Sequence, residues 1–385
     1  AALAALEREP AGGAGSDAEL ERIQARARLT ASRTLTRDAA SSIDPTARPP
    51  APVLVALSCR AGLERLLADE ATAAGFTALS VATGRVEVTL VGPLESLLAL
   101  RLHTAIAFPL APRSGAAAAA VVEAVTSPEA AALFDAFTRG SMRYRVAWAG
   151  GGHRRSEVWR IAREVAARRP ELVNDPTRST WQVEVDVAGS AVRVALEPRA
   201  LEDPRFAYRV RDVPAASHPT IAAALARLAV QHSARPADDV VWDPFVGSAL
   251  ELIERARLAP VRQLAGTDRE AAALDAARAN LAAAGVAAEL TLGDALDAAP
   301  PSQPTVILTN PPMGRRVQRG RAEDLLLRLV DRAGALLAPG GLLCWISPWP
   351  GKTRERAARA GLTLVDARVV DMGGFAAEIQ VFQRR

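Results

Sequence analysis

From residue 216 onward the apolar positions of the chain follow two alternating periods. Short, nearly continuous apolar runs, VVWDP (240–244), QLAGTD (263–268), AELTLGD (288–294), TVILTNPP (305–312) and GLLCWISP (341–348), have the pattern of strands buried on both faces. Between them lie TIAAALARLAVQH, ALELIERARL, AALDAARANLAAAG and AEDLLLRLVDRAGALL, where apolar residues return every three or four positions, as on one face of a helix. Strands and helices that alternate in this way predict a mostly parallel sheet covered on both faces, finished by a strand pair near LVDARVV and EIQVFQ.

Upstream the pattern is different. Strand VLVAL (53–57), Gly62, a periodic helix LERLLADEATAAG that stops at Gly75, strand GRVEVTL (84–90), the short helix LESLLALRL and strand TAIAFPL predict a small βαββαβ-type or related α+β unit. An alanine-rich helix at SGAAAAAVVEAV follows, then strand MRYRVAW, helix RSEVWRIAREVAARR, and STWQVEVDV and AVRVALEP bent at Gly189-Ser190. Polar and apolar residues alternate in both of the last runs, which predicts a half-buried antiparallel hairpin. Residues 1–50 carry one helix-like stretch, AELERIQARARL, among Gly, Ser and Pro, and read as a mobile arm. The expected boundaries are therefore an arm at 1–50, an α+β unit at 51–113, a middle domain at 114–215 and an α/β domain at 216–385.

Length and composition agree with several domains: 385 residues exceed what a single core usually holds, and 49% hydrophobic with 23% charged residues excludes disordered, collagen-like and coiled-coil classes. The formal net charge of +4 is too small to imply a polyanionic partner by itself. Its chemistry is more informative, because Lys352 is the single lysine and the other 46 basic residues are arginine. A GC-rich genome gives the same bias, so the choice of residue says less than its placement. Ten arginines lie between Arg143 and Arg193, on a surface that is either a solvated face or a track for a phosphate backbone. Cys59 and Cys344 sit in apolar runs, offering neither a disulfide framework nor a zinc site. No apolar run is long enough to span a bilayer and the N-terminal stretch lacks a signal-like pattern, so a cytoplasmic setting, no metal, no membrane and no obligatory protein partner are expected.

Chemistry is expected at the carboxyl ends of the parallel strands. Asp243-Pro-Phe245-Val-Gly247-Ser248 joins the first strand to its helix and lets backbone approach a ligand at a helix N-terminus, although a plain strand-to-helix turn has the same form. Gly266-Thr-Asp268 ends the second strand with an acid suited to ribose hydroxyls or to an N-cap, and Gly293-Asp294-Ala295 follows the third with an acid suited to an exocyclic amine or again to a cap. Thr309-Asn310-Pro311-Pro312-Met313-Gly314 is the most specific: two prolines make the turn rigid. The Asn310 side-chain oxygen and the Pro311 carbonyl can both accept from a planar NH2 group, holding its nitrogen lone pair toward an electrophilic methyl.

DPFVGSALELIERA, GTD, GDA and TNPPMG, in this order, resemble the motifs of class I S-adenosylmethionine-dependent methyltransferases that act on exocyclic amines. With the upstream α+β units and ALEDPRFAYRVRDVPAASHPTIAAALARLA, the arrangement is similar to the THUMP-domain RNA methyltransferases that modify guanine N2 of tRNA or ribosomal RNA. The resemblance spans about residues 53–385. It implies a Rossmann-like methyltransferase sheet preceded by ferredoxin-like and THUMP-like domains, S-adenosylmethionine as donor and RNA as partner. It also implies that Asp243, Phe245, Gly247 and Ser248 line the donor's methionine and ribose, Asp268 its ribose hydroxyls, and Asp294 with Ala295 its adenine. His218, Pro219 and Thr220 match the segment that closes over the donor, and Asn310, Pro311, Pro312 and Met313 match the turn that holds the target amine. Arg315, Arg316, Arg319 and Arg321 would then meet phosphates beside the flipped nucleotide. Two positions depart from the family pattern: its Gly-Ser-Gly-Thr loop is Gly247-Ser248-Ala249-Leu250 here, and the aromatic residue after the two prolines is Met313. An adenine N6 methyltransferase of RNA or DNA, a small-molecule or peptide N-methyltransferase, and a non-catalytic RNA-binding module remain alternatives at this point.

Overall fold

The computed structural model describes residues 40–152, 154–214, 216–313 and 319–385. The AELERIQARARL stretch, Gly314, Arg315 and Arg316 lie outside the described residues. The described residues form two compact units, both discontinuous in sequence: Pro45–Leu110, Ala195–Glu197 and Glu202–Arg385 belong together, while residues 40–44, Ala111–Val194 and Pro198–Leu201 form the other.

After strand β1 (Ser41–Ile43), the α+β segment runs β2 (Val53–Cys59), α1 (Glu64–Ala73), β3 (Thr77–Ala82), β4 (Arg85–Leu90), a 3-10 turn at Leu94–Ala99 and β5 (His103–Pro109). These four strands pair antiparallel in the order β3-β4-β2-β5. Alternation decides the faces: Val86, Val88 and Leu90 of β4 are fully buried, and α1 lays Leu66, Leu67 and Ala71 on that core. Sequence reading did not name β3. Every one of its residues is exposed, so burial leaves no pattern in it, and only the Thr83-Gly84 turn marks it.

The other unit contains β6 (Arg113–Ser114), α2 (Ala117–Val125), α3 (Pro128–Phe137), β7 (Thr138–Gly140), β8 (Arg143–Trp148), α4 (Arg155–Arg168), β9 (Val173–Asn174), β10 (Trp181–Ala188) and the first half of β11 (Ala191–Glu197). Strands β11, β10, β8 and β9 are neighbours in that order, with β8 parallel to both β10 and β9, and β1 pairs antiparallel with β7. Ser127 caps α3 by accepting from the Ala130 N–H at 3.1 Å, with Pro128 at the first helical position, where its missing donor costs nothing. Helix α2 is mostly buried despite its low-complexity sequence, because alanine lets it approach closely.

The remaining chain builds α5 (Pro219–His232), β12 (Val240–Asp243), α6 (Leu250–Leu258), β13 (Gln263–Asp268), α7 (Ala271–Ala284), β14 (Glu289–Leu292), β15 (Val306–Thr309), α8 (Arg319–Leu336), β16 (Leu342–Ser347), α9 (Pro350–Arg359), β17 (Leu362–Asp371) and β18 (Ala376–Arg384). Its seven-stranded sheet has the order β14-β13-β12-β15-β16-β18-β17. The first five strands are mutually parallel, and β18 runs antiparallel between β16 and β17. Strands β12, β15 and β16 are buried at every position, as their continuous apolar runs require. Helix α8 places Leu326, Leu329, Val330 and Ala333 against Trp242, Ile307 and Trp345 of the sheet. Helix α9 was not read from sequence, since only Thr353 and Ala357 of its largely charged length are buried, and Pro350 at its first turn is the one signal it carries.

Polar contacts join the α+β segment to this sheet inside one unit. Glu70 of α1, 3% exposed, accepts from Arg227 of α5 at 2.6 Å and from the Arg101 and Leu102 N–H groups at 3.1 Å. Arg101 forms a bidentate pair with Glu254 of α6, at 2.5 and 2.6 Å, and Tyr208 donates to the same carboxylate at 2.5 Å. Buried charges are tolerated only when matched in this way.

Candidate active site

Strand order reverses between β12 and β15, and in open α/β sheets the crevice for a ligand opens at that point, beyond the carboxyl ends of the strands. Asp243, Asp268, Asp294 and Asn310 all stand at or just after those ends.

Asp243 is fully buried. Its Oδ1 accepts from the Thr309 hydroxyl at 2.6 Å, across the reversal, and from the Phe245 N–H at 3.0 Å. Its Oδ2 is buried with no partner among the described residues. Burial raises its pKa well above the ordinary carboxylate range, and the negative charge of Glu251 raises it further. A buried acceptor without a donor is costly, by about 1–3 kcal/mol, and so marks a place where an outside donor is wanted.

The turn that follows is shaped by backbone more than by side chains. Gly247 has φ +49° and Ala249 φ +63°, and Ala249 is the only non-glycine residue in the left-handed region among those described. Alanine thus occupies a backbone conformation that suits glycine. The Gly247 N–H donates to Asp268 Oδ2 at 3.0 Å and the Glu270 N–H to Asp268 Oδ1 at 3.0 Å, so Asp268 holds the turn after β12 to the start of α7. Gly266 is required by packing, since a methyl group there would fall 2.5 Å from Val246 Cγ2. Ser248 is buried and its carbonyl accepts from Asn280 of α7 at 3.0 Å; Asn280 also exchanges two bonds with the Arg211 backbone at 2.8 Å. Sequence reading missed Asn280, whose only signal is a polar residue on the apolar face of α7. Asp294 is exposed and accepts from the Leu296 N–H at 2.8 Å, while Ala295 is buried beside it.

His218 is the N-cap of α5: its Nδ1 meets the Thr220 hydroxyl at 2.7 Å and the Thr220 N–H at 3.3 Å, with Pro219 at the first helical position. Partial burial of its ring, and the positive charges of Arg60, Arg209 and Arg205, push its pKa down to about 4, so the cap is a neutral acceptor.

At the end of β15, Pro311 is buried, Pro312 exposed and Met313 half-buried. Asn310 Nδ2 donates to Ser217 Oγ at 2.7 Å, and Ser217 Oγ donates to Glu251 Oε1. The other tip of the amide, Asn310 Oδ1, is buried with no partner among the described residues. Neither Ser217 nor Glu251 was singled out from sequence. Arg319 opens α8 and Arg321 is exposed on it. Among the described residues no three His, Cys, Asp or Glu side chains are placed to hold a metal ion, and no single helix is long and apolar enough to cross a membrane.

The model of the RMKL-like methyltransferase domain family matches residues 207–377. The tRNA (guanine(6)-N2)-methyltransferase of Thermus thermophilus is 33% identical over 238 residues, covering 59% of this chain and 68% of that protein. Among solved structures, TrmN from Thermus thermophilus superposes with a TM-score of 0.68 at 25% identity, over 86% of this chain and 100% of its own. SMU.472, solved in complex with SAH, gives a TM-score of 0.67 at 16% identity over 87% of this chain and 98% of its own, a likeness of fold. With the reversal of strand order, the loop after β12 and the Asn-Pro-Pro turn after β15 all in place, the chain belongs to the THUMP-associated, class I S-adenosylmethionine-dependent RNA methyltransferases related to the tRNA guanine-N2 enzymes.

Proposed function

We propose that the protein methylates the exocyclic N2 amine of a guanine in tRNA or ribosomal RNA. The observation that carries this reading is Asn310 Oδ1, a buried acceptor without a donor at the end of a turn stiffened by two prolines. Bound S-adenosylmethionine supplies a methyl group activated by its positive sulfur. When bound, the donor's amino group would meet the buried acceptor Asp243 Oδ2, its methionine and ribose would be held by the Gly247–Ser248 backbone, and Asp268 would keep lone pairs for its ribose hydroxyls. Ala295 and Asp294 would border its adenine, and the His218-Pro219-Thr220 cap and Phe245 would hold its other side.

Asn310 Oδ1 and the Pro311 carbonyl accept the two N–H groups of the target amine. That pairing orients the nitrogen lone pair and draws electron density onto it, so alignment and polarisation do the work and no strong base is required before attack. Met313 offers a polarizable surface to the base. The target nucleotide has to leave its stack, at a cost of a few kcal/mol. Ala111–Val194 would serve as the RNA-recognising part, and the exposed Arg321 of α8 would meet a flanking phosphate. The likeness to the Thermus tRNA (guanine(6)-N2)-methyltransferase supports this amine over adenine N6.

Asn310→Ala is expected to lower turnover at least 100-fold while leaving S-adenosylmethionine affinity within about two-fold, read by single-turnover methylation and donor titration. Undiminished turnover would sink the assignment. Mass spectrometry of nucleosides from RNA treated with the enzyme then distinguishes guanine N2 from adenine N6.

A further inference from the structure

We infer that Ser217 and Glu251 form a positioning relay that fixes which end of the Asn310 amide faces the target amine. The inference rests on the role proposed for Asn310 and adds to it two side chains that have been given no role above.

An asparagine tip has an acceptor on one side and two donors on the other, and the two nearly equal ends exchange by a half-turn of the amide. Only one orientation suits a substrate NH2, which brings donors. The reversed orientation sets donor against donor and leaves the amine unpolarised. Something must therefore make the two orientations unequal in energy.

The relay does so through the single hydrogen of a serine hydroxyl. Glu251 stands in the first turn of α6, 4% exposed, where the helix N-terminus favours a negative charge. Burial raises its pKa above the ordinary carboxylate range, while the Ser217 hydroxyl and a backbone N–H pull it down; in the carboxylate form it has lone pairs and no hydrogen to give, so the Ser217 hydroxyl donates to Glu251 Oε1. Its hydrogen being committed, Ser217 Oγ meets Asn310 as an acceptor. Asn310 must present Nδ2 to it, at 2.7 Å, and Oδ1 is turned away, buried and without a donor among the described residues. Each bond sets the direction of the next, and hydrogen bonds arranged in such a chain reinforce one another. Without the carboxylate the Ser217 hydrogen is free to point at Asn310, and the reversed amide becomes equally good. Ser217 and Glu251 touch neither donor nor base in this scheme. They act through Asn310, and their loss should appear in the chemical step.

The experiment is a set of single-turnover and binding measurements on the full chain. Ser217→Ala is expected to lower kcat about 10- to 100-fold, with S-adenosylmethionine Kd and RNA Kd each within about two-fold of the parent. Ser217→Thr, which keeps the hydroxyl, is expected to restore most of the loss. Glu251→Gln, which keeps an acceptor oxygen toward Ser217, should retain more turnover than Glu251→Leu. In the double variant Ser217→Ala/Asn310→Ala, turnover should equal that of Asn310→Ala alone, because the relay has nothing left to orient. Full kcat in Ser217→Ala, or additive losses in the double variant, would overturn the relay. If Asn310→Ala is inactive and Ser217→Ala is not, the relay fails and the proposed function stands; if Asn310→Ala is fully active, the proposed function itself fails. Donor titration identifies a variant that has lost its fold, and the Ser217→Thr and Glu251→Gln pair then carries the test.

Discussion

At the scale of single residues, the loop after β12 shows how a motif departs from its family pattern and keeps its shape. Ala249 adopts the left-handed backbone that a glycine would take without penalty, and it does so while completely buried. Ala249→Gly is therefore expected to raise stability by about 0.5–1 kcal/mol, the relief of backbone strain outweighing the added freedom of the unfolded chain. Denaturant midpoints of the two proteins measure it, and a lower midpoint for the glycine form would show that the alanine methyl packs better than the strain costs. His103 makes a second case. Its Nε2 donates to the Leu97 carbonyl at 3.0 Å while Nδ1 is buried without a partner among the described residues, and burial, with Arg205 nearby, pushes its pKa down to about 3. The unfolded chain binds a proton at this ring below about pH 6.5 and the folded chain does not, so stability falls as pH drops from about 6.5 toward 3, by up to about 1.4 kcal/mol per pH unit. A His103→Gln variant should show a shallower loss between pH 7 and 5 in matched unfolding titrations, and equal slopes would refute this.

At the scale of elements, sequence legibility followed burial. Strands β12, β15 and β16 were read because every residue in them is covered, leaving an unbroken apolar run. β3 and α9 were not, because exposure erases the same signal: β3 has no covered residue, and α9 turns only two toward the core. The Asn-Pro-Pro turn was legible since its chemistry lies in side chains of one short segment. The Ser217–Glu251 connection was not, because 34 residues separate its members and the geometry that joins them is tertiary. Helix α4 carries a prediction of its own. Trp159 is 62% exposed, with the Arg163 guanidinium 5.2 Å from its ring, a platform of the kind on which an unpaired base stacks. On the RNA reading, Trp159→Ala should weaken RNA binding about five-fold or more without altering the thermal midpoint. Unchanged affinity across a salt series would place the RNA elsewhere.

At the scale of the whole molecule, the small α+β segment and the methyltransferase sheet behave as one folded body. Arg101→Ala would leave Glu254, 1% exposed on its side chain, with Tyr208 as its remaining donor, and should cost about 3–5 kcal/mol. Calorimetry should show both parts unfolding together in the parent, and a loss below about 1 kcal/mol would mean that the pair is dispensable. This body is assembled from two stretches of chain, Pro45–Leu110 and Glu202–Arg385, with Ala195–Glu197 between them. Most of the intervening residues are thus a cassette set into the sequence of the enzyme, completed by β1 from ahead of Pro45. A chimera that borrows a relative's RNA-recognising part should be spliced near 110 and near 202 and should take β1 with it, by a third junction near 44, because β1 pairs with β7. A single junction at 216 would transplant Glu70 and Arg101 away from Arg227 and Glu254, and would leave each fragment with half of a matched charge.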